Sequence, residues 1–181
     1  LHLSNSVQVF VQSCLQKTAE ESLIFIGQHG GYYQLPKLSH EKLFLPYYFY
    51  DNMNRMPTKE EIEFEISSYV NENMFFCFHD FQIFKDRGYT IKQQQISTVA
   101  TINPRVVNFD VSIPITVEKG EAKTTLEKFS NNVPSKLGTI HNIVSVFIES
   151  EEKSSICVSC LTSLSLQNEV RTEMSYLGND Q

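Results

Sequence analysis

Four cysteines are the residues of this chain best suited to chemistry: Cys14, Cys77, Cys157 and Cys160. Cys157-Val158-Ser159-Cys160 has the spacing of thioredoxin-like redox sites, where a helix N-terminus lowers the pKa of the first thiol. It falls at the opening of a short predicted helix. The competing reading is a local disulfide, or sulfur that fills part of the core. Context favours it, because the motif lies late in the chain, no strand–helix–strand unit precedes it, and no Trp or Pro flanks it. A zinc site needs two further ligands at a matching second spacing. There is no second CxxC, and His2, His29, His40, His79 and His141 form no HxH or HExxH pattern. No metal and no cofactor are expected.

The other reactive types read as structure. His79 follows Cys77 closely enough to suggest a Cys–His nucleophile pair. Yet Cys77 falls on the inward face of its predicted helix, whereas a reactive thiol needs access. His79 then reads as a helix C-terminal histidine, and His141, on an apolar face, as a satisfied core histidine. His29-Gly30-Gly31 follows a helix and precedes none, so it lacks the context that aims amides at a phosphate. Glu60-Glu61-Glu63-Glu65 and Glu149-Glu151-Glu152 read as solvated helix faces. No catalytic residue is assigned. The best interaction candidates are Tyr32, Tyr33, Tyr47, Tyr48 and Tyr50, since tyrosine tolerates exposure and supplies rigid contact area.

Elements must position these residues. With 181 residues, a 41% hydrophobic and 20% charged composition, one ordinary globular domain spanning 1–181 is expected. The net charge of −6 and the scattering of fifteen Lys and Arg exclude a nucleic-acid footprint. No run approaches the ~18 apolar residues that a membrane span needs. Val7, Phe10, Val11, Cys14, Leu15, Thr18, Ala19, Leu23 and Ile26 recur at helical spacing, which predicts an N-terminal helix to residue 27, capped by Asn5 or Ser6. Residues 28–57 form an aromatic-rich excursion between prolines, with an extended piece at Leu43–Tyr50. Thr58 and Glu61 match a capping box and open a second helix with Ile62, Ile66, Tyr69, Val70, Asn73 and Cys77 inward.

From Tyr89 the period becomes two. Val107, Phe109, Val111, Ile113, Ile115 and Val117 alternate with polar residues, the mark of an antiparallel sheet with one wet face. A neighbouring strand is read over Tyr89–Ile102 and a third near Ala122–Ser130, with Pro114 placed at a bulge. Helices over Leu137–Ile148 and from Ser154 or Ser155 follow, then a final strand through Val170, Thr172, Met174 and Tyr176. The fold class is α+β: an antiparallel sheet of about four strands against N-terminal, central and C-terminal helices. Cys14 and Cys77 lie on helix faces expected to pack together, so a bridge between them is reasonable, as are two buried thiols. Four cysteines allow three pairings.

Val11-Gln12-Ser13-Cys14-Leu15, Ala19-Glu20-Glu21 and Ile26-Gly27-Gln28-His29-Gly30-Gly31-Tyr32 resemble a family of archaeal membrane-anchored extracytoplasmic proteins of unassigned activity. Pro46-Tyr47-Tyr48-Phe49-Tyr50 and Ile156-Cys157-Val158-Ser159-Cys160-Leu161 fit the same pattern. The resemblance implies a pilin-like N-terminal transmembrane segment before the soluble part and further strand after it. The chain opens Leu1-His2-Leu3 without Met and closes on a Gly178-Asn179-Asp180 turn with no returning strand, so both ends are expected to be cut from a longer protein. The membrane would be met only through a segment absent from this chain, and disulfides would be natural. No asparagine forms an Asn-x-Ser/Thr site. The expected function is a non-enzymatic extracytoplasmic domain of a membrane-anchored protein, in cell-surface assembly (a pilin-like filament subunit is one form) or recognition, with protein partners or self-association. The alternatives are a small-ligand binder or enzyme with a pocket between residues 28–57 and the sheet, lined by His29, Tyr47, Tyr48 and Tyr50, and a thiol oxidoreductase using Cys157 and Cys160.

Overall fold

The computed structural model describes residues 3–153 and 157–175. The predicted helical spacing is realised as α1 (Leu3–Gln28), which starts ahead of the expected caps and places Asn5 and Ser6 inside its first turns. It ends in a Schellman motif: the Gly31 amide reaches the Ile26 carbonyl at 2.8 Å and the Gly30 amide the Gly27 carbonyl at 3.4 Å. Both glycines have left-handed backbone, φ 59° and 90°, which a side chain would strain. The chain then folds two small hairpins, β1 (Ser39–His40) with β2 (Leu45–Pro46) and β3 (Phe49–Tyr50) with β4 (Met53–Asn54). The single extended piece expected over 43–50 is thus broken, because two chain reversals interrupt it.

α2 (Lys59–Phe78) begins at the predicted capping box, with the Glu61 amide bonded to Thr58 Oγ1 and the Thr58 amide to Glu61 Oε2. Ile62, Ile66, Val70, Met74 and Phe78 form its buried stripe. Three consecutive non-glycine residues then take left-handed backbone, His79, Asp80 and Phe81. This turn folds the chain back into the short α3 (Gln82–Lys85) and drives Phe81 into the core, stacked on Phe78 with ring centroids 4.9 Å apart. A left-handed residue costs roughly 1–2 kcal/mol where a Cβ is present. His79 is the exposed C-cap of α2. His79→Gly is therefore expected to stabilise the domain by about 1 kcal/mol, read as a higher urea midpoint at unchanged slope.

The sheet is built around β7 (Val106–Lys119), whose burial alternates as its sequence does. β8 (Ala122–Pro134) pairs antiparallel along its length, turning on Gly120 at φ 59°. On the other side β6 (Ser97–Ile102) covers residues 107–112 and β5 (Thr90–Gln93) covers residues 115–118. The strand expected over 89–102 is therefore two strands. The break faces Pro114, which accepts from the Gln94 amide and stands in the register shift between Ser112 and Ile115 against β8. The missing proline donor falls where the ladder is already interrupted.

α1 and α2 lie side by side on the buried face, α1 toward β8 and α2 toward β6. Their side chains also close the sheet edges. Glu63 Oε1 accepts from the Ile102 amide at 2.7 Å and Ser67 Oγ from the Ala100 amide at 3.0 Å. At the opposite edge Gln12 Nε2 donates to the Ser130 carbonyl at 2.8 Å. Unpaired edge groups invite association with other chains, and these contacts occupy some of them. The reading of Glu63 and Glu65 as solvated is corrected here: Glu63 serves the sheet, and Glu65 serves the excursion, as shown below.

α4 (Leu137–Glu152) packs where Gly138 meets the β6–β7 turn; a Cβ there would lie 2.5 Å from the Asn103 carbonyl oxygen. α5 (Val158–Gln167) folds back against α4. Its C-terminal end is tied down by Lys136 Nζ, which donates to the carbonyls of Asn168 at 3.1 Å and Glu169 at 2.9 Å. The Val170 amide turns back to the Ser165 carbonyl, and residues 170–175 form no strand. The expected final strand is absent: residues 171–175 are exposed and pair with no strand, and Tyr176 and the Gly178-Asn179-Asp180 turn lie outside the described residues.

Candidate functional site

The 28–57 excursion has a fixed base and exposed tips. At the base, Glu65 Oε2 accepts from the amides of Tyr33 at 2.7 Å and Gln34 at 3.1 Å. The Tyr33 hydroxyl donates to Glu72 Oε2 at 2.9 Å, and its ring packs edge-on to Phe25 and Tyr69. His29 stacks on Phe25 with centroids 4.1 Å apart. The Tyr48 hydroxyl donates to the Gly30 carbonyl at 2.7 Å, and Pro46 packs so closely on Gly30 that a Cβ would lie 2.7 Å from its ring. His141 Nε2 donates to the Pro57 carbonyl at 2.8 Å and ties the end of the excursion to α4.

Burial pushes the Tyr48 phenol up to about 12. A raised folded-state value means that the folded protein holds the proton longer than the unfolded chain does. The contribution of Tyr48 is complete below pH 10, the ordinary value, and is lost as pH rises through about 12. Unfolding measured by urea between those pH values is expected to show falling stability, and Tyr48→Phe to flatten that fall.

The tips are shaped by local rules. Asp51 and Asn52 both have positive φ, 52° and 55°, giving a two-residue turn of the twist that hairpins favour. In the β1–β2 loop the Leu43 amide donates to His40 Nδ1, and Phe44 is left-handed. These turns present Leu43, Phe44, Leu45, Tyr47, Tyr50 and Met53 to solvent, with Phe44 61% and Tyr50 49% exposed. Tyr47 lies between Tyr50, 5.6 Å away by ring centroids, and His40 at 6.4 Å.

Of the five tyrosines singled out, Tyr47 and Tyr50 lie together on this surface, whereas Tyr32, Tyr33 and Tyr48 are half-buried at the base. Leu43, Phe44 and Leu45, which lie in the tyrosine-rich stretch 43–50 that the sequence marks for interaction, complete the surface with Met53, which sequence reasoning missed. The available signal was Asp51-Asn52, which marks a hairpin and so turns its flanks outward. A cavity of about 350 Å³ does lie beside the excursion, between residues 54–60 and α4. It is lined by Met56, Glu60, His141 and Ser145 among others, not by His29, Tyr47, Tyr48 or Tyr50.

All four cysteines are paired. Cys14 joins Cys77 with Cα atoms 5.6 Å apart, and Cys157 joins Cys160 at 5.1 Å. The first bridge clamps α1 to α2, with Cys14 in the core. In the second, Cys157 is the N-cap of α5, and its Sγ accepts from the Cys160 amide at 3.2 Å. Among the described residues no group of three or more His, Cys, Asp or Glu is placed to hold a metal, and no helix is long and apolar enough to cross a membrane. No protein-family model, curated protein or solved structure matches this chain.

Proposed function

We propose that this chain is the extracytoplasmic domain of a membrane-anchored protein and acts in cell-surface recognition or assembly, binding a protein partner or another copy through the two hairpin tips. The observation that carries this reading is the set Leu43, Phe44, Leu45, Tyr47, Tyr50 and Met53, exposed on and beside two successive hairpins, with the Tyr47 and Tyr50 rings in contact above a hydrogen-bonded base. Aromatic and aliphatic side chains held on rigid turns lose little entropy on binding, and clustered exposed apolar residues mark interaction sites. The paired cysteines support an oxidising compartment. The likeness to archaeal membrane-anchored proteins rests on the sequence segments quoted above, and a pilin-like filament subunit is one form of the same reading.

A photo-crosslinking side chain placed at Tyr50, and in a separate variant at Thr116 on the wet face of the sheet, tests this in the native cell. The proposal expects discrete crosslinked protein bands from position 50 and few from position 116. Equal yields at both positions would remove the hairpins as the binding surface.

A further inference from the structure

The two disulfides occupy different physical settings. Cys14 is 2% exposed, and its bridge spans a sequence separation of 63. Cys157 and Cys160 are half-buried, their separation is 3, and α5 contributes no residue to the main hydrophobic core. Closing so short a loop restricts the unfolded chain little, so opening it sacrifices little stability. Thus the bridge is not the inert, fully buried one that would exclude redox chemistry.

Its surroundings favour the reduced form. Cys157 caps the N-terminus of a ten-residue helix, the Cys160 amide already points at its sulfur, and the Ser159 hydroxyl lies 3.6 Å from the same atom. A helix N-terminus with a donor aimed at sulfur stabilises a thiolate, and a dithiol stabilised in this way makes its disulfide the stronger oxidant. The Cys157 amide is bonded to Ser150 Oγ on the last turns of α4, where Glu149, Glu151 and Glu152 flank it. Acidic charge on this neighbouring segment favours a partner of positive charge.

We propose that Cys157–Cys160 is an exchange-competent bridge that oxidises a dithiol in a protein segment carrying basic residues, a function that goes beyond the recognition reading and does not depend on it. One thiolate of the partner attacks the Cys160 sulfur. The Cys157–Cys160 bond breaks, a partner–Cys160 disulfide forms, and Cys157 leaves as the thiolate held by the Cys160 amide. The second partner thiolate attacks the partner sulfur of this mixed disulfide, which forms the partner's own disulfide and expels Cys160 as a thiolate. Two electrons pass from partner to bridge, and the two protons given up by the partner thiols go to Cys157 and Cys160 or to solvent.

The test uses the oxidised chain and a synthetic peptide with two cysteines, each beside a lysine, followed at pH 7 with alkylation and mass mapping. The proposal expects peptide oxidation at least about 30-fold faster than with oxidised glutathione at equal disulfide concentration. New thiols should appear at Cys157 and Cys160 while Cys14 and Cys77 stay bridged, and a Cys157→Ser, Cys160→Ser double variant should lose the reaction. A rate no better than glutathione, or a Cys157–Cys160 bridge that opens only when the wild-type chain unfolds, would overturn it. The wild-type mapping decides the question even if the double variant folds poorly.

Discussion

Replacing Cys14 and Cys77 together by serine is expected to destabilise the domain by about 4 kcal/mol and lower its melting temperature by about 10 °C. The bridge joins residues 63 apart, and loop-closure entropy in the unfolded chain rises with that separation. A native-state term adds to it, because Cys14 lies in the core between α1 and α2 and a serine hydroxyl there would lack a partner. The clamp holds the two helices that cover the sheet and carry the base of the excursion. Its loss should therefore lower the urea midpoint of the whole domain in one transition. A midpoint that moves by less than about 1 kcal/mol equivalent would mean that packing alone joins the helices.

Phe78→Ala is expected to cost a similar amount, about 3–5 kcal/mol. Phe78 is fully buried at the end of α2, stacked on Phe81, and lies 6.4 Å by ring centroids from Phe10. Truncation removes the transfer free energy of the ring and leaves a hole among side chains fixed by the left-handed turn at 79–81, which cannot easily collapse. Loss of the bridge acts chiefly on the unfolded chain, whereas this change acts on the folded state. Unfolding should accelerate, while the Cys14–Cys77 bridge next to it stays resistant to mild reductant in the folded variant. Urea unfolding with stopped-flow kinetics checks the first part, and thiol labelling with mass mapping after mild reductant checks the second; a cost under about 1 kcal/mol would show that the site repacks.

Elements governed by local rules were legible in the sequence. The alternation along β7, the capping box at Thr58 and Glu61, the glycine stop of α1 and the bulge at Pro114 each follow from a period or a backbone restriction a few residues long. What escaped depends on partners distant in the chain. Glu63 and Glu65 look like any solvated helix glutamates until β6 and the 33–34 amides are brought to them. Strand β5 separates from β6 because of Pro114, some twenty residues later. Residues 170–175 alternate in hydrophobicity as a strand does, yet the Val170 amide turns back to the Ser165 carbonyl and residues 171–175 are exposed and unpaired with any strand. The candidate site was half legible: tyrosine-rich composition marked the segment, but which rings face out was set by the hydrogen bond from Tyr48 to Gly30 and by the two turns.

The helix clamp is expected to exist in the living cell, where an oxidising compartment would maintain it. The most direct measurement is mass mapping of the cysteines in protein taken from its native cells, with free thiols blocked at lysis. The account predicts Cys14 bridged to Cys77 in essentially every molecule. Cys14 and Cys77 recovered as free, alkylated thiols would contradict it and return the domain to a reducing compartment.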